Sequence, residues 1–261
     1  MKEDSKVEKK MMLHTNLTED DIAKYVFLPG SPQRVERIAR YLENPQFVRV
    51  NREHETWSGY LEGERVLVTS TGMGGPSTCI CLEELFRLGA RTFIRVGSCA
   101  SCSDKTGCGD VVIPSSCVRM EGTGLHYAPV EYPAVPDIDV FDALREAGKE
   151  MGYPVKVGTV ITRDGFYTQY EAESKPNGYE LAGKWRGYLQ MGAIATEMEA
   201  SPLYLASSAM GARSGGVMVC ATNFRKDDDV KSKYPISYEP RAIEVAVLAM
   251  KKLILREKEG K

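Results

Sequence analysis

Short apolar runs rich in β-branched residues recur along the chain and alternate with stretches in which apolar residues repeat at helical spacing. The apolar runs predict strands at residues 24–28, 65–70, 92–96, 110–113, 156–161, 194–198 and 216–221. The helical stretches predict helices at residues 33–42, 77–88 and 240–257. This alternation favours a single-domain, three-layer α/β/α fold with a central mixed, largely parallel sheet flanked by helices.

The length and composition agree with one domain. The 261 residues are 43% hydrophobic, which is enough for one large core, and no internal repeat or linker-like stretch divides them. Residues 1–12 are predicted to form a mobile tail, so that the domain spans residues 13–261. A net charge of −2 gives no electrostatic case for a nucleic-acid partner. No apolar run approaches the roughly 20 residues of a membrane helix, so no membrane partner is expected.

The seven cysteines point to a reducing compartment. An odd count, together with first residues that lack the apolar stretch of a secretory signal, favours free thiols and the cytoplasm. Cys99 and Cys102 form one C-x-x-C pair, which raises metal or redox chemistry as an alternative. Because no second pair follows at zinc-site spacing, buried small side chains are the favoured interpretation and no catalytic metal is expected.

The predicted strand ends carry the candidate chemistry, because ligands in α/β folds bind beyond the carboxyl ends of strands. Gly30 follows one strand and Arg34 opens the next helix, an arrangement that suits an anion. A second glycine turn occupies residues 71–77. Arg95 lies inside an apolar strand shortly before Ser98, and a buried arginine needs an internal carboxylate or a bound anion. One such turn alone is usually only a turn, but together they predict a small-anion site, with phosphate the favoured occupant.

Two carboxylates flank Met198. If the segment is a strand, Glu197 and Glu199 point to the same face, where two like charges are unfavourable unless a ligand donates to both. Sugar hydroxyls are suitable donors. The alternative interpretation is an ordinary solvated acidic pair.

Eight ordered segments resemble one family. Each segment is weak alone, but their order and spacing are specific. They are residues 28–37, 51–53, 70–77, 91–98, 109–112, 125–129, 164–167 and 197–199. On these segments the chain resembles the nucleoside phosphorylases over nearly its whole length, and residues 125–134 resemble the uridine branch.

The resemblance implies phosphorolysis of a ribonucleoside, with uridine as the best single expectation: uridine and phosphate would give uracil and ribose 1-phosphate. Inorganic phosphate would be the co-substrate, and no cofactor would be needed. A homo-oligomer is also implied, either a dimer or a hexamer built as a trimer of dimers, with sites shared between subunits. A purine nucleoside phosphorylase, a hydrolase of the same fold and a nucleoside-binding protein remain alternatives.

The resemblance also implies roles for particular residues. The catalytic positions are Arg95 and Glu199. The phosphate-binding positions are Gly30, Arg34, Arg52, Arg95 and Ser98, with Arg52 lent to a neighbouring subunit. The ribose-binding positions are His14, Glu197, Met198 and Glu199, with His14 lent in the same way. Glu53, Met73 and Ser77 match positions that hold a monovalent cation, K+ or Na+, between subunits in some members.

The base-binding positions implied by the resemblance are Phe166, Gln169, Asn223 and Arg225, and they depart from the uridine branch. Uridine-specific members carry a Gln-x-Arg pair after the Phe-Tyr dipeptide, but no arginine follows Gln169 at that spacing. Arg163 and Arg225 are the nearest replacements in sequence. Residues 96–99 resemble the bacterial purine branch, yet Asn223 stands where that branch has an aspartate that protonates the base. An asparagine cannot supply that proton, so uridine remains the favoured substrate.

Overall fold

The computed structural model describes residues 11–223 and 238–260. The strands in these ranges are β1 (Tyr25–Pro29), β2 (Glu43–Asn51), β3 (His54–Leu61), β4 (Glu64–Thr69), β5 (Thr92–Ser101), β6 (Val111–Met120), β7 (Val155–Arg163), β8 (Ala195–Glu197) and β9 (Arg213–Asn223). The α-helices are α1 (Val35–Ala39), α2 (Gly75–Leu88), α3 (Ile138–Glu150), α4 (Tyr167–Tyr170), α5 (Gly178–Gln190), α6 (Ala200–Met210) and α7 (Glu239–Lys258). Short 3-10 helices occupy Pro32–Arg34, Thr123–His126 and Ala172–Ser174.

These strands form one mixed sheet in the order β2-β3-β4-β1-β5-β8-β7-β6-β9. Strand β9 pairs with β5 as well as with β6, so that β5, β8, β7, β6 and β9 close into a ring. Five of the nine strand pairings are parallel and four are antiparallel. The mixed α/β architecture expected from the sequence is therefore confirmed.

The predicted strands and helices all occur, but β2, β3, α3, α4, α5 and α6 lie outside the prediction. Strand β2 is exposed over most of its length, so it lacks the apolar run on which a strand prediction depends. Helix α6 is largely buried: eight of its eleven residues are buried, among them two serines, so no periodic apolar stripe marks it. Helix α3 carries a usable signal, because Asp137 caps it by accepting hydrogen bonds from the backbone N–H groups of Asp139 and Val140.

Alternate residues of β1 point into two different hydrophobic cores, as the two-residue repeat of a strand requires. Tyr25 and Phe27 join a cluster formed with α1, α3 and α7, whereas Val26 and Leu28 join a cluster formed with α2 and α6. Both clusters contain helix residues, so β1 is packed against helices through each of the two sets of alternate side chains. Across the two described ranges, no helix is both long enough and apolar enough to cross a membrane.

Candidate active site

A cavity of about 580 Å³ lies where β1, β5, β7 and β8 end, beside the glycine turn between β4 and α2. Many positions that the sequence singles out line this cavity. They are Gly30, Arg34, Glu53, Met73, Ser77, Arg95, Ser98, Phe166, Glu197, Met198 and Glu199. His14, Arg52, Gln169 and Asn223 are not part of its wall, and Arg225 lies outside the described residues.

Arg95 on β5 is the centre of the site. Its side chain is buried, and its Nη2 lies 2.5 Å from Oε2 of Glu199 and 3.1 Å from Oε2 of Glu197. Its Nε donates to the same Glu197 oxygen at 3.1 Å. Gly97 makes room for the guanidinium, because a Cβ at that position would lie 2.9 Å from Nη2 of Arg95. The internal carboxylate partner expected for this buried arginine is therefore present, and there are two of them.

Glu197 is held from several sides. Its Oε2 accepts the backbone N–H groups of Glu199 at 2.7 Å and Ala200 at 2.9 Å, and its Oε1 accepts the hydroxyl of Thr162 at the end of β7. Glu197 and Glu199 do not alternate along one strand as the sequence predicts, because β8 ends at Glu197 and Glu199 is the residue before α6. The chain turns between the end of β8 and the start of α6, and both carboxylates contact Arg95 from this turn. Both are buried, so the solvated-pair interpretation is also wrong.

Burial and charge act against each other in this cluster. Burial raises the pKa of Glu199 above its ordinary value, more than the neighbouring Arg95 lowers it. For Arg95, burial opposes the charged form, but the charges of Glu199 and Glu197 raise its pKa. Arg95 is therefore fully charged, and Glu199 is the member of the cluster that protonates more readily than an ordinary glutamate.

A glycine turn brings backbone donors to Glu199. Oε1 of Glu199 accepts the N–H of Gly74 at 2.6 Å. Gly72 and Gly74 have φ values of 73° and 83°, in the left-handed region that favours glycine. Gly72 is also crowded, because a Cβ there would lie 2.6 Å from Oγ of Ser77 and 2.7 Å from Cγ of Glu53. The second glycine turn found in the sequence is therefore required by both conformation and space.

Arg34 borders the cavity from the 3-10 turn that follows β1. Its Nε donates to Oε1 of Glu239 at 2.8 Å, and its Nη1 donates to the carbonyl of Val96 at 3.3 Å. Arg37 donates to the other Glu239 oxygen at 2.6 Å. Glu239 lies 205 residues from Arg34 in sequence, and no pattern in the sequence points to it.

Glu53 and Ser77 meet at the cavity wall near Met73, whose side chain is 84% exposed. The Ser77 hydroxyl lies 2.7 Å from Oε1 of Glu53 and 2.6 Å from the carbonyl of Thr71. The hydrogen bond from Ser77 lowers the pKa of Glu53. Oxygen donors of this kind suit a hard cation. Among the residues that the structure describes, no group of three or more His, Cys, Asp and Glu side chains could hold a metal ion.

The segment that carries His14 is anchored to helix α2 by Glu84. Oε1 of Glu84 is 2.8 Å from Nδ1 of His14 and 2.9 Å from its backbone nitrogen, while Oε2 accepts the backbone N–H and the hydroxyl of Thr15, both at 2.8 Å. Burial acts against the ionised carboxylate, but these bonds outweigh it and lower the pKa of Glu84. Arg52 is exposed in a turn with φ 52°. Both His14 and Arg52 thus lie on the outside of this single chain's cavity.

The residues at the base end of the cavity differ from the expected set. Phe166 and Arg163 line the wall, and the guanidinium of the buried Arg163 lies 5.1 Å from the Phe166 ring centroid. Gln169 accepts a hydrogen bond from the Thr196 hydroxyl at 3.4 Å, and Nδ2 of Asn223 donates to the carbonyl of Thr106 at 3.4 Å. The structure therefore brings Arg163, rather than Gln169 or Asn223, to the cavity.

The structure describes all seven cysteines, and each is in the thiol form. Cys99 and Cys102 are buried, as the sequence favours, whereas Cys108 is exposed. Cys99 also lines the cavity, and it pairs in register with Cys220 of β9. The hydrogen bond with Cys220, together with burial, raises the pKa of the Cys99 thiol. Cys99 is therefore a protonated side chain in the cavity wall.

Comparison with known proteins agrees with this geometry. Residues 24–254 match the family model described as the phosphorylase superfamily. The chain is 40% identical to a uridine phosphorylase of Treponema pallidum over 244 residues, which cover 94% of this chain and 95% of that relative. It is 35% identical to the Escherichia coli uridine phosphorylase, covering 93% of this chain and 98% of the relative. A guanosine phosphorylase of Halorubrum lacusprofundi is 31% identical, covering 91% and 97%. The chain belongs to the phosphorylase superfamily.

Proposed function

We propose that this chain is a nucleoside phosphorylase, a pentosyltransferase that cleaves uridine with inorganic phosphate to give uracil and ribose 1-phosphate. The observation that carries the proposal is the contact of one buried arginine, Arg95, with Glu197 and Glu199 in the wall of one cavity. An anion-binding group thus lies beside acceptors for sugar hydroxyls, and these are the two halves of a phosphorolysis site. The uridine phosphorylases among the relatives support uridine as the nucleoside.

Phosphate binds to Arg95 and to three other positions that line the same cavity, Gly30, Arg34 and Ser98. The partner subunit's Arg52 completes this set. Before substrate binds, Glu199 pairs with the guanidinium of Arg95, with Oε2 of Glu199 2.5 Å from Nη2 of Arg95. When phosphate and ribose enter together, the phosphate replaces Glu199 as the partner of Arg95, and Glu199 becomes free to accept ribose hydroxyls. Charge-assisted hydrogen bonds of this kind contribute about 1.5–3 kcal/mol each.

Ribose binds at Met198 and Glu199, with Glu197 in support and the partner subunit's His14 near the 5′-hydroxyl. Glu199 accepts the 2′- and 3′-hydroxyls and so fixes the sugar relative to the phosphate. Glu197 is occupied by Arg95, Thr162 and the backbone, so it acts by holding Arg95 and the start of α6. Fixing both reactants lets attack begin from a near-attack geometry.

Bond cleavage develops positive charge at the anomeric carbon while the electron pair of the glycosidic bond leaves with the base. A phosphate oxygen forms the new bond to that carbon, and its negative charge stabilises the cationic sugar in the transition state. Hydrogen bonds to the departing uracil stabilise the negative charge on the base. The chemistry uses phosphate as co-substrate and requires no cofactor.

The proposed base-binding positions are Phe166, Gln169, Asn223 and Arg225, and of these Phe166 lines the cavity of the single chain. Uracil can leave as an anion held at its oxygens, whereas a purine is best released with a proton that Asn223 cannot supply. A purine nucleoside is the second candidate substrate, favoured by the 31% identity to a guanosine phosphorylase. Arg163 is the cavity cation nearest to Phe166, and it offers hydrogen-bond donors of a type that uracil oxygens accept.

Assembly and location belong to the same proposal. Because His14 and Arg52 do not line their own chain's cavity, we infer a homo-oligomer, a dimer or a hexamer built as a trimer of dimers, in which they complete a partner's site. Glu53, the Met73 carbonyl and Ser77 supply oxygen ligands for a monovalent cation between subunits. The domain is taken as residues 13–261 in three α/β/α layers after a tail of residues 1–12. The free thiols fit the cytoplasm.

One assay tests the reaction class and the substrate together. Release of free base is measured from uridine, inosine and thymidine, each with and without inorganic phosphate. We expect cleavage only with phosphate, and faster cleavage of uridine than of inosine. Cleavage without phosphate would identify a hydrolase, and binding without any turnover would identify a nucleoside-binding protein. Faster cleavage of inosine would contradict the pyrimidine assignment and leave the phosphorylase assignment intact.

A further inference from the structure

Glu239 joins two arginines at the edge of the cavity. It is the first residue of α7, and its side chain is only 12% exposed. One carboxylate oxygen accepts from Nε of Arg34 at 2.8 Å, and the other accepts from Nη1 of Arg37 at 2.6 Å. Arg37 is 43% exposed, whereas Arg34 is 17% exposed and lines the cavity. The carboxylate of Glu239 therefore has an inner contact, to Arg34 at the cavity, and an outer contact, to the more exposed Arg37.

The inner contact fixes the plane of the Arg34 guanidinium. Its Nε is held by Glu239 and its Nη1 by the carbonyl of Val96, a residue of β5 adjacent to Arg95. A guanidinium is planar, so two anchored nitrogens determine the direction of the third. Arg34 would otherwise be a long side chain with several free torsions, and ordering it would oppose ligand binding.

We propose that Glu239 is a positioning residue for phosphate: it orients Arg34 toward the anion, and this inference rests on the proposed function. The carboxylate has two opposing effects. It orders the guanidinium, which favours phosphate, and it adds a negative charge near the anion, which disfavours it. Arg37 balances that added charge, because two cations share one carboxylate. Orientation is therefore the larger effect.

The matched test compares Glu239→Ala with Glu36→Ala. Both glutamates lie in the first turn of a helix, and both variants remove one negative charge, but Glu36 pairs with the exposed Arg40 instead of Arg34. Binding of inorganic phosphate is measured by calorimetry, and KM is measured for phosphate and for uridine. We expect Glu239→Ala to weaken phosphate binding about tenfold, with the KM for uridine within about twofold of wild type, and Glu36→Ala to change neither.

A second variant separates orientation from simple attachment of α7. Arg37→Met removes the outer contact and leaves the Glu239–Arg34 contact in place. If Glu239 acts by orienting Arg34, Arg37→Met changes phosphate affinity much less than Glu239→Ala does. Equal losses in the two variants, or unchanged or tighter phosphate binding in Glu239→Ala, would overturn the inference. Wild-type protein that neither binds phosphate nor cleaves uridine would instead refute the proposed function, and the role of Glu239 with it.

Discussion

At the scale of single residues, the site depends on a buried cation shared between two acids. Arg95 carries one positive charge and contacts two carboxylates, so these three groups together carry a net negative charge. The nearby Arg34 and Arg37, which share Glu239, offset that charge. A buried charge that loses its partner is costly, whereas an exposed pair contributes little. The buried cluster is therefore where a single substitution has the largest effect on function.

Arg95→Ala is expected to lower the catalytic efficiency for phosphate about a hundredfold, because charged hydrogen bonds to the nucleophile are lost. It also leaves Glu197 and Glu199 facing each other without a cation, so thermal stability falls as well. Arg145→Ala, which removes an exposed arginine paired with Asp142, is the control and should change neither property. Initial rates across a phosphate titration measure the effect. An unchanged dependence on phosphate would remove Arg95 from the site.

The raised pKa of Glu199 predicts how activity changes with pH. In its proposed role Glu199 accepts two ribose hydroxyls, for which the ionised carboxylate is the better acceptor, and burial raises the pKa of this carboxyl. We expect kcat/KM for uridine to fall as pH decreases, beginning at a higher pH than an ordinary glutamate would give. Glu199→Gln should be less active than wild type, and its remaining kcat/KM should no longer fall as pH decreases. An identical acid limb in the variant would assign the titration to another group.

At the scale of elements, helix α2 connects the glycine turn at its start with the N-terminal segment that packs along it. Glu84 receives the backbone of His14 and Thr15, so one helical side chain determines the position of that segment. The pKa of Glu84 is lowered, so the contribution of this anchor to stability is present above the ordinary glutamate pKa. It is lost as pH falls through the lowered value.

Glu84→Gln should release the segment around His14 while leaving the core folded. Amide hydrogen exchange at residues 12–17 would rise, and activity would fall if His14 completes a partner's site. Glu83→Gln is the neighbouring control, because Glu83 contacts Arg87 and Tyr127 instead of the segment. Equal protection of residues 12–17 in both variants would show that Glu84 is not the anchor.

The elements also explain which parts of the molecule the sequence can predict. Apolar strands such as β1 and β5 carry their own pattern, and so do the glycine turns, because each needs a residue type that is rare elsewhere. The hairpin of β2 and β3 and the largely buried α6 lack such a pattern. Contacts between distant segments, such as Glu239 with Arg34, leave no local signal at all. Arg163 is detectable only as a replacement for the arginine that the uridine branch has after its glutamine and that this chain lacks after Gln169.

At the scale of the whole molecule, the proposed sharing of sites can be tested by mixing subunits. Arg52→Ala would damage the partner's site, whereas Glu199→Ala would damage its own, so each variant alone should be inactive. If the two are unfolded and refolded together, hybrid oligomers contain sites with neither change, and part of the uridine-cleaving activity should return. Mixing two preparations of the same variant is the control. A fully active monomer in sedimentation experiments would contradict shared sites.

The closed ring of strands has a consequence for how the protein behaves in concentrated solution. At one end of the sheet, β9 turns back to pair with β5, so its hydrogen-bonding groups are used internally. The other end is β2, and it is irregular: its register with β3 shifts twice, and Pro45 lies within the first of these shifts, between Glu43 and Gln46. Irregular, proline-containing edges are poor templates for adding a foreign strand. The molecule should therefore resist fibril formation and edge-to-edge aggregation, even though nine of its described strands join in one large sheet.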